Sequence, residues 1–244
     1  GAGAFCLGWR PALERAPAPG EVPERGYAVV SAGGYRLMES STVTGLPRPA
    51  QPIVLYEFED CPYCKLVREA AAMLDLDVLF KPCPKEGQRF RPEGKAKGAT
   101  FPYMEDPNTG REMGESGDIV AYLFEEYGGG RDATPWLLKL GALGILLNAA
   151  GLAPSAGRPL LPSSAPPAEP LVVYGYEASP FSKVVRERLD DMELPHVWRS
   201  VARGSPKREE IFQAQGSFQA PFLVDPNRGV CMFESADIIE YLAE

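Results

Sequence analysis

Apolar and polar positions along the chain fall into a pattern that occurs twice. Ile53-Val54-Leu55-Tyr56 is a β-branched and aromatic run that predicts a strand. From Val67 to Leu76 the apolar residues, Ala70, Ala71 and Leu74 among them, recur at helical spacing. A proline-led strand follows at Phe101-Pro102-Tyr103-Met104, then the turn chemistry of Asp106-Pro107-Asn108-Thr109-Gly110, then a second short strand. Ser116 stands where an N-cap belongs, just before Ile119 and Val120 open an apolar-periodic helix. The predicted order is βαβαββα, hence an α/β fold with a mixed sheet.

The same order returns in the second half of the chain. Leu171-Val172-Val173-Tyr174 repeats the first strand, Ala220-Pro221-Phe222-Leu223-Val224-Asp225-Pro226-Asn227 repeats the proline-led strand and turn, and Glu234-Ser235-Ala236-Asp237-Ile238 repeats the start of the last helix. Three blocks in one order indicate an internal duplication. The domains are therefore read as 52–127 and 170–244, preceded by a Pro-, Gly- and Ala-rich extension over 1–51 that reads as mostly irregular. The linker, 128–169, opens on Gly128-Gly129-Gly130 and ends in a proline-rich run. Between these, 136–152 is apolar on most sides and predicts a helix packed between the domains. Membrane contact is the alternative there, although the segment is shorter than the ~20 residues needed to span a bilayer and is interrupted by Lys139 and Asn148.

Composition narrows the chemistry. A formal net charge of -8 disfavours a nucleic-acid partner, which would want clustered Lys and Arg. Five cysteines scattered over 244 residues do not form a secreted disulfide framework. With one histidine, His196, and no second close-spaced cysteine pair, no metal site is expected. Cys83, Cys231 and His196 read as structural residues, Cys231 as part of the core.

Cys61-Pro62-Tyr63-Cys64 lies between a predicted strand and a predicted helix, the context in which a C-x-x-C is a redox motif. At a helix N-terminus the free N–H groups and the dipole favour a thiolate, and Lys65 and Arg68 are expected to add to that effect. Cys61 is then the nucleophile, and Cys64, one turn further in, the resolving thiol.

With these residues in place, the first copy resembles a glutaredoxin, and both copies resemble the N-terminal domain of a glutathione transferase, so the fold implied is two tandem thioredoxin-like domains joined by an apolar helical linker. Cys61-Pro62-Tyr63-Cys64 is similar to the dithiol glutaredoxin motif, Phe101-Pro102 to that family's cis-proline loop, and Glu115-Ser116 to the transferase's glutathione-binding pair. The resemblance implies glutathione as co-substrate, held by Tyr63, Lys65, Phe101, Pro102, Glu115 and Ser116. Ser116 would take the γ-glutamyl carboxylate, and Glu115 or Asp118 the ammonium. Over its whole length the chain resembles plant and algal chloroplast proteins with tandem transferase N-terminal domains, which implies a chloroplast location, stromal or thylakoid-associated. Contact with a thylakoid or a protein complex would run through the 136–152 helix.

The second copy keeps Pro221, Glu234 and Ser235 but has Ser179 and Ser182 where the cysteines stand. A hydroxyl cannot exchange disulfides, so this domain is expected to be redox-inactive. Two functions follow as expectations. One is a glutathione-dependent thiol-disulfide oxidoreductase acting on protein disulfides or glutathionylated proteins. The other is a non-enzymatic docking or assembly protein built on the paired folds.

Overall fold

A computed structural model of the chain describes residues 8–140 and 165–244. Each copy has the βαβαββα order. In the first, β4 (Ile53–Glu57), α1 (Pro62–Met73) and β5 (Asp77–Pro82) form a parallel crossover unit, followed by α2 (Phe90–Ala96), the hairpin β6 (Tyr103–Asp106) and β7 (Arg111–Met113), and α3 (Ser116–Tyr127). In the second, the corresponding elements are β8 (Leu171–Gly175), α4 (Pro180–Asp191), β9 (His196–Ser200), α5 (Lys207–Gln215), β10 (Phe222–Asp225), β11 (Val230–Met232) and α6 (Ser235–Leu242). Proline at the first helical position of α1 and α4 fits the helix start, where its missing N–H has no partner to lose. Each hairpin turn is closed by an aspartate, Asp106 or Asp225, which accepts from Asn108 or Asn227 two residues on.

The two copies share one sheet. Its order is β11-β10-β8-β9-β5-β4-β6-β7, and the join is the antiparallel pairing of β5 with β9, which sets Phe80 opposite His196 and Asp77 opposite Arg199. The β5 edge that a single copy would expose is thereby covered by its own repeat. One apolar core runs beneath both, from Leu55, Leu74 and Leu123 to Leu189, Leu223 and Ile238.

Two expectations need correcting, and a third falls only in part on the described residues. The N-terminal extension is not irregular: β1 (Trp9–Arg15), β2 (Val30–Ala32) and β3 (Tyr35–Ser41) form an antiparallel sheet in the order β1-β3-β2. Its main pairing joins Trp9 to Ser41, and such distant partners leave no local signal between Pro- and Gly-rich segments. The sheet is pinned to the second domain where Glu209 of α5 accepts from the N–H groups of Gly26 and Tyr27. Cys231 is exposed rather than part of the core, because β11 is the last strand of the sheet. Within the helix expected over 136–152, the described residues hold a 3-10 turn, Trp136–Lys139, with Trp136 exposed and Leu138 buried. Residues 141–152 of that segment lie outside the described residues. Among the described residues no helix is long and apolar enough to cross a membrane.

Candidate functional site

The site grows out of the β4–α1 corner. Cys61 sits at the N-cap of α1 with extended backbone, and its Sγ accepts a hydrogen bond from the Cys64 N–H at 3.2 Å. Its own N–H donates to the Phe58 carbonyl, closing the loop that leaves the strand. Cys61 and Cys64 are free thiols, both buried. Their environments drive them apart. The Cys64 thiol, by hydrogen bonding to Cys61, lowers the Cys61 pKa; the N–H groups of Cys64 and Tyr63 add to this, against burial and the nearby Glu57 carboxylate. Burial raises Cys64 well above an ordinary thiol. That asymmetry suits one thiol to attack and the other to follow.

Lys65 and Arg68 do not supply the cationic help expected of them. Arg68 spends its guanidinium on Glu57, Glu59 and Glu177. Lys65 is buried in the same helix, its pKa lowered by that burial against the opposing charges of Glu69 and Glu177. Arg68 turns toward the join with the second domain, because that is where buried carboxylates need partners.

The proline loop and the α3 start meet the corner. The Phe101–Pro102 peptide is cis, and the Cys61 thiol faces the Phe101 carbonyl at 3.9 Å. A Cβ on Gly114 would come within 3.9 Å of Thr100 and Tyr103, so the turn leading to Glu115 and Ser116 lies beside the proline loop. Helix α3 begins at Ser116 itself; the N-cap is Glu115, not the serine, and it makes no side-chain cap. Glu115 has φ 62° and its counterpart Glu234 φ 64°, a left-handed backbone that costs a non-glycine residue about 1–3 kcal/mol and that concentrates at ligand clamps. Tyr63 projects from the corner, 47% exposed.

Two sets of residues escaped the sequence reading. Arg91 of α2 stacks on the Phe101 and Phe58 rings, at 5.2 and 5.8 Å, while its Nη1 donates to the Cys83 carbonyl. Glu57, Glu59, Arg186 and Asp190 are the other set, buried around the corner. A signal for part of this set was present, since Glu59 and Arg68 align with Glu177 and Arg186 in the repeat. Cys83 is fully buried, its pKa raised by that burial and by Glu57.

In the second copy the backbone of the corner is retained. Ser179 caps α4 as Cys61 caps α1, with its Oγ accepting from the Ser182 N–H at 3.1 Å, and the Ala220–Pro221 peptide is cis. Glu234 is tied to the proline loop by a hydrogen bond from Gln219, and Ser235 opens α6. A separate cleft of about 630 Å³ lies between the N-terminal sheet, Asp75 at the far end of α1, and α5. Its charges are satisfied within the protein: Asp75 pairs with Lys207, and Arg48 donates to the carbonyls of Leu74 and Tyr127.

The family model for the glutathione S-transferase N-terminal domain matches residues 55–131 and again residues 173–244, together more than half of the chain. The chain belongs to this family. The two matches cover the two copies of the fold, so the family's domain occurs here twice, with both corner motifs inside it. No curated protein gives a significant match. Among solved structures, a Bombyx mori glutathione transferase is 28% identical with a TM-score of 0.27, over 33% of this chain and 38% of its own. A trimeric glutathione transferase of Leishmania is 15% identical with a TM-score of 0.28, over 79% of this chain and 66% of its own. The chain thus spans less than two thirds of the length of either.

Proposed function

We propose that the protein is a glutathione-dependent thiol-disulfide oxidoreductase whose single working site is Cys61 and Cys64 in the first domain. The observation that carries the reading is the opposed environment of the two thiols, one lowered and one raised in pKa at the same helix start. The Cys61 thiolate attacks a substrate disulfide, forming a mixed disulfide and releasing one substrate thiolate, which takes up a proton. With a glutathionylated protein, Cys61 takes the glutathione sulfur, and a second glutathione attacks it to give glutathione disulfide and free Cys61. With a protein disulfide, Cys64 loses its proton and attacks the Cys61 sulfur, releasing the second substrate thiol. Two glutathione molecules then reduce the Cys61–Cys64 disulfide. Membership of a family named for glutathione transferases supports glutathione as the donor, with Tyr63, the Pro102 loop and Glu115-Ser116 as its contacts.

The test is turnover of a glutathione mixed disulfide by the full chain and by Cys61→Ser. Loss of all turnover in the variant is expected. Wild-type protein without turnover would favour the second reading, a docking protein on paired folds, which draws on the burial of Cys61 to 3% exposure.

A further inference from the structure

We propose that the second domain is a working part of the first domain's site: Arg186 and Asp190 of α4 are positioning residues that hold the loop carrying Cys61. The inference rests on the reading of Cys61 as the reactive thiol and extends it to residues of the domain whose own corner carries serines.

Glu59 stands two residues before Cys61 and is buried. Arg186 grips its carboxylate with a fork, Nε on Oε2 and Nη2 on Oε1, the second at 2.9 Å. The backbone N–H of Glu59 donates to Asp190 Oδ2 at 3.3 Å. Both ends of the residue are therefore held from α4, and the Phe58 carbonyl one residue earlier is what receives the Cys61 N–H.

The arrangement is nearly two-fold, and its departures from symmetry are informative. Glu59 and Glu177 each meet both arginines, Arg68 and Arg186. The fork, however, goes to Glu59, whereas Glu177 receives one contact from each arginine, 2.7 Å from Arg186 and 3.4 Å from Arg68. Where Asp190 stands, the first repeat has Ala72, so that position offers no carboxyl to Glu177. Where Glu57 stands, the second repeat has Gly175, and a Cβ there would lie 2.4 Å from Trp198. The last two departures each place a carboxyl group on the Cys61 side and none at the matching position on the Ser179 side. A purely structural clamp between repeats has no reason to favour the corner that kept its sulfurs.

The groups facing Cys61 itself are Glu57 from β4, Cys64 and the Tyr63 and Cys64 N–H groups from α1, and the Phe101 carbonyl from the proline loop. Arg186 and Asp190 face Glu57 and Glu59 behind it, and burial beside Glu57 raises the Asp190 pKa well above the usual range. They act on Cys61 through the loop.

The test is the alkylation rate of Cys61 by iodoacetamide across pH, read by mass at that residue in the full chain, with thermal unfolding followed alongside. It needs neither glutathione nor turnover. A wild type that alkylates at a lowered midpoint but turns nothing over defeats the proposed function and leaves this inference standing. Arg186→Lys keeps the charge and loses the fork; its Cys61 midpoint is expected to rise toward the free value of about 8.5, slowing reaction at lower pH about tenfold per unit of rise. Asp190→Ala installs the residue already tolerated at position 72 and is expected to fold and to shift the midpoint the same way, while Asp190→Asn, which restores an acceptor for the Glu59 N–H, recovers it. If Arg186→Lys fails to fold, Asp190→Ala decides alone. Folded variants whose Cys61 midpoint equals that of the wild type would overturn the proposal.

Discussion

Arg186 Nη2 lies 2.9 Å from Glu59 Oε1, two buried side chains from different repeats meeting between a helix of one and a loop of the other. Both are buried, and burial decides how the pair behaves. Arg186 and Arg68 hold the Glu59 carboxyl down at about 2 against the burial that would raise it. A buried pair of this kind adds little net stability over an apolar substitute, but removing one partner leaves a charge in the interior.

Arg68→Met is therefore expected to destabilise the chain by about 3–5 kcal/mol, because Glu57, Glu59 and Glu177 lose a shared counter-ion. Lys183→Met is the contrast. Its pair with Glu187 is partly exposed, and its loss should cost under about 1 kcal/mol. Denaturant unfolding of the two variants checks the ranking, and equal small effects would remove the network from the account of stability.

A second prediction separates the two roles of Cys64. Its side chain is the largest cause of the lowered Cys61 pKa. Cys64→Ala should raise the Cys61 midpoint, since the donor is lost, whereas Cys64→Ser keeps a donor and should hold it nearer the wild type. Mixed-disulfide reduction should survive in Cys64→Ser, because glutathione itself resolves that intermediate, while protein-disulfide reduction falls. Thiol titration and the two turnover assays, run on both variants, decide it; equal midpoints in Ala and Ser would show that the neighbouring side chain is not the donor that matters.

The duplication, the dithiol corner and the proline loops were legible because each is a short, local pattern. Ile53-Val54-Leu55-Tyr56 announces a strand whatever lies around it, and Cys61-Pro62-Tyr63-Cys64 announces a helix start with two sulfurs on it. The β5–β9 pairing was not legible, since nothing in Val78-Leu79-Phe80 says which strand lies beside it. Arg68 was misassigned for a related reason. Its sequence distance from Cys61 suggested thiolate stabilisation, whereas in the fold its guanidinium goes to Glu57 and Glu59 of its own repeat and to Glu177 of the other. Nothing local marks Glu59, two residues before the motif, as buried.

Acid should find a weak point at His196, which opens β9 between Phe80 and Leu171. Burial pushes its pKa down from 6.5 to about 4, with Nδ1 on the Leu194 carbonyl and Nε2 without a hydrogen-bond partner among the described residues. A group whose folded pKa is depressed leaves the unfolded chain binding more protons, so its contribution is present above 6.5 and is lost as pH falls through about 4. The loss amounts to about 3 kcal/mol. Glu57, raised by burial to about 6, works the other way over part of this range, so the comparison must be with His196→Gln. Wild type should lose stability faster than that variant between pH 6.5 and pH 4, and the single histidine's ring resonance should titrate well below its ordinary value. Parallel stability curves, or a ring that titrates near 6.5, would contradict this.

The last prediction concerns the hydroxyls that replaced the sulfurs. Ser179 and Cys61 share one backbone conformation, with φ −84° and −86° and ψ 118° and 115°, and each accepts the N–H three residues on. The corner has kept its shape without its thiols. Ser182 is different: its Oγ is fully buried and has no hydrogen-bond partner among the described residues, so it bears a desolvation cost that a sulfur in the same place would largely escape. Ser182→Ala is therefore expected to stabilise the chain by about 1 kcal/mol, and Ser182→Cys by a similar amount, measured by denaturant midpoint at unchanged slope. Ser179→Cys combined with Ser182→Cys should close a disulfide under oxidising conditions, because the two positions repeat the Cys61–Cys64 geometry. The thiol introduced at position 182 would stand over Gly175 rather than a carboxylate, and so should lack the part of the Cys64 pKa rise that Glu57 causes. Turnover from the restored pair in a Cys61→Ser background would show that the second pocket still takes glutathione. A disulfide that forms but never turns over would show that the pocket went with the sulfurs, and a destabilised Ser182→Ala would show that the buried hydroxyl has a partner after all.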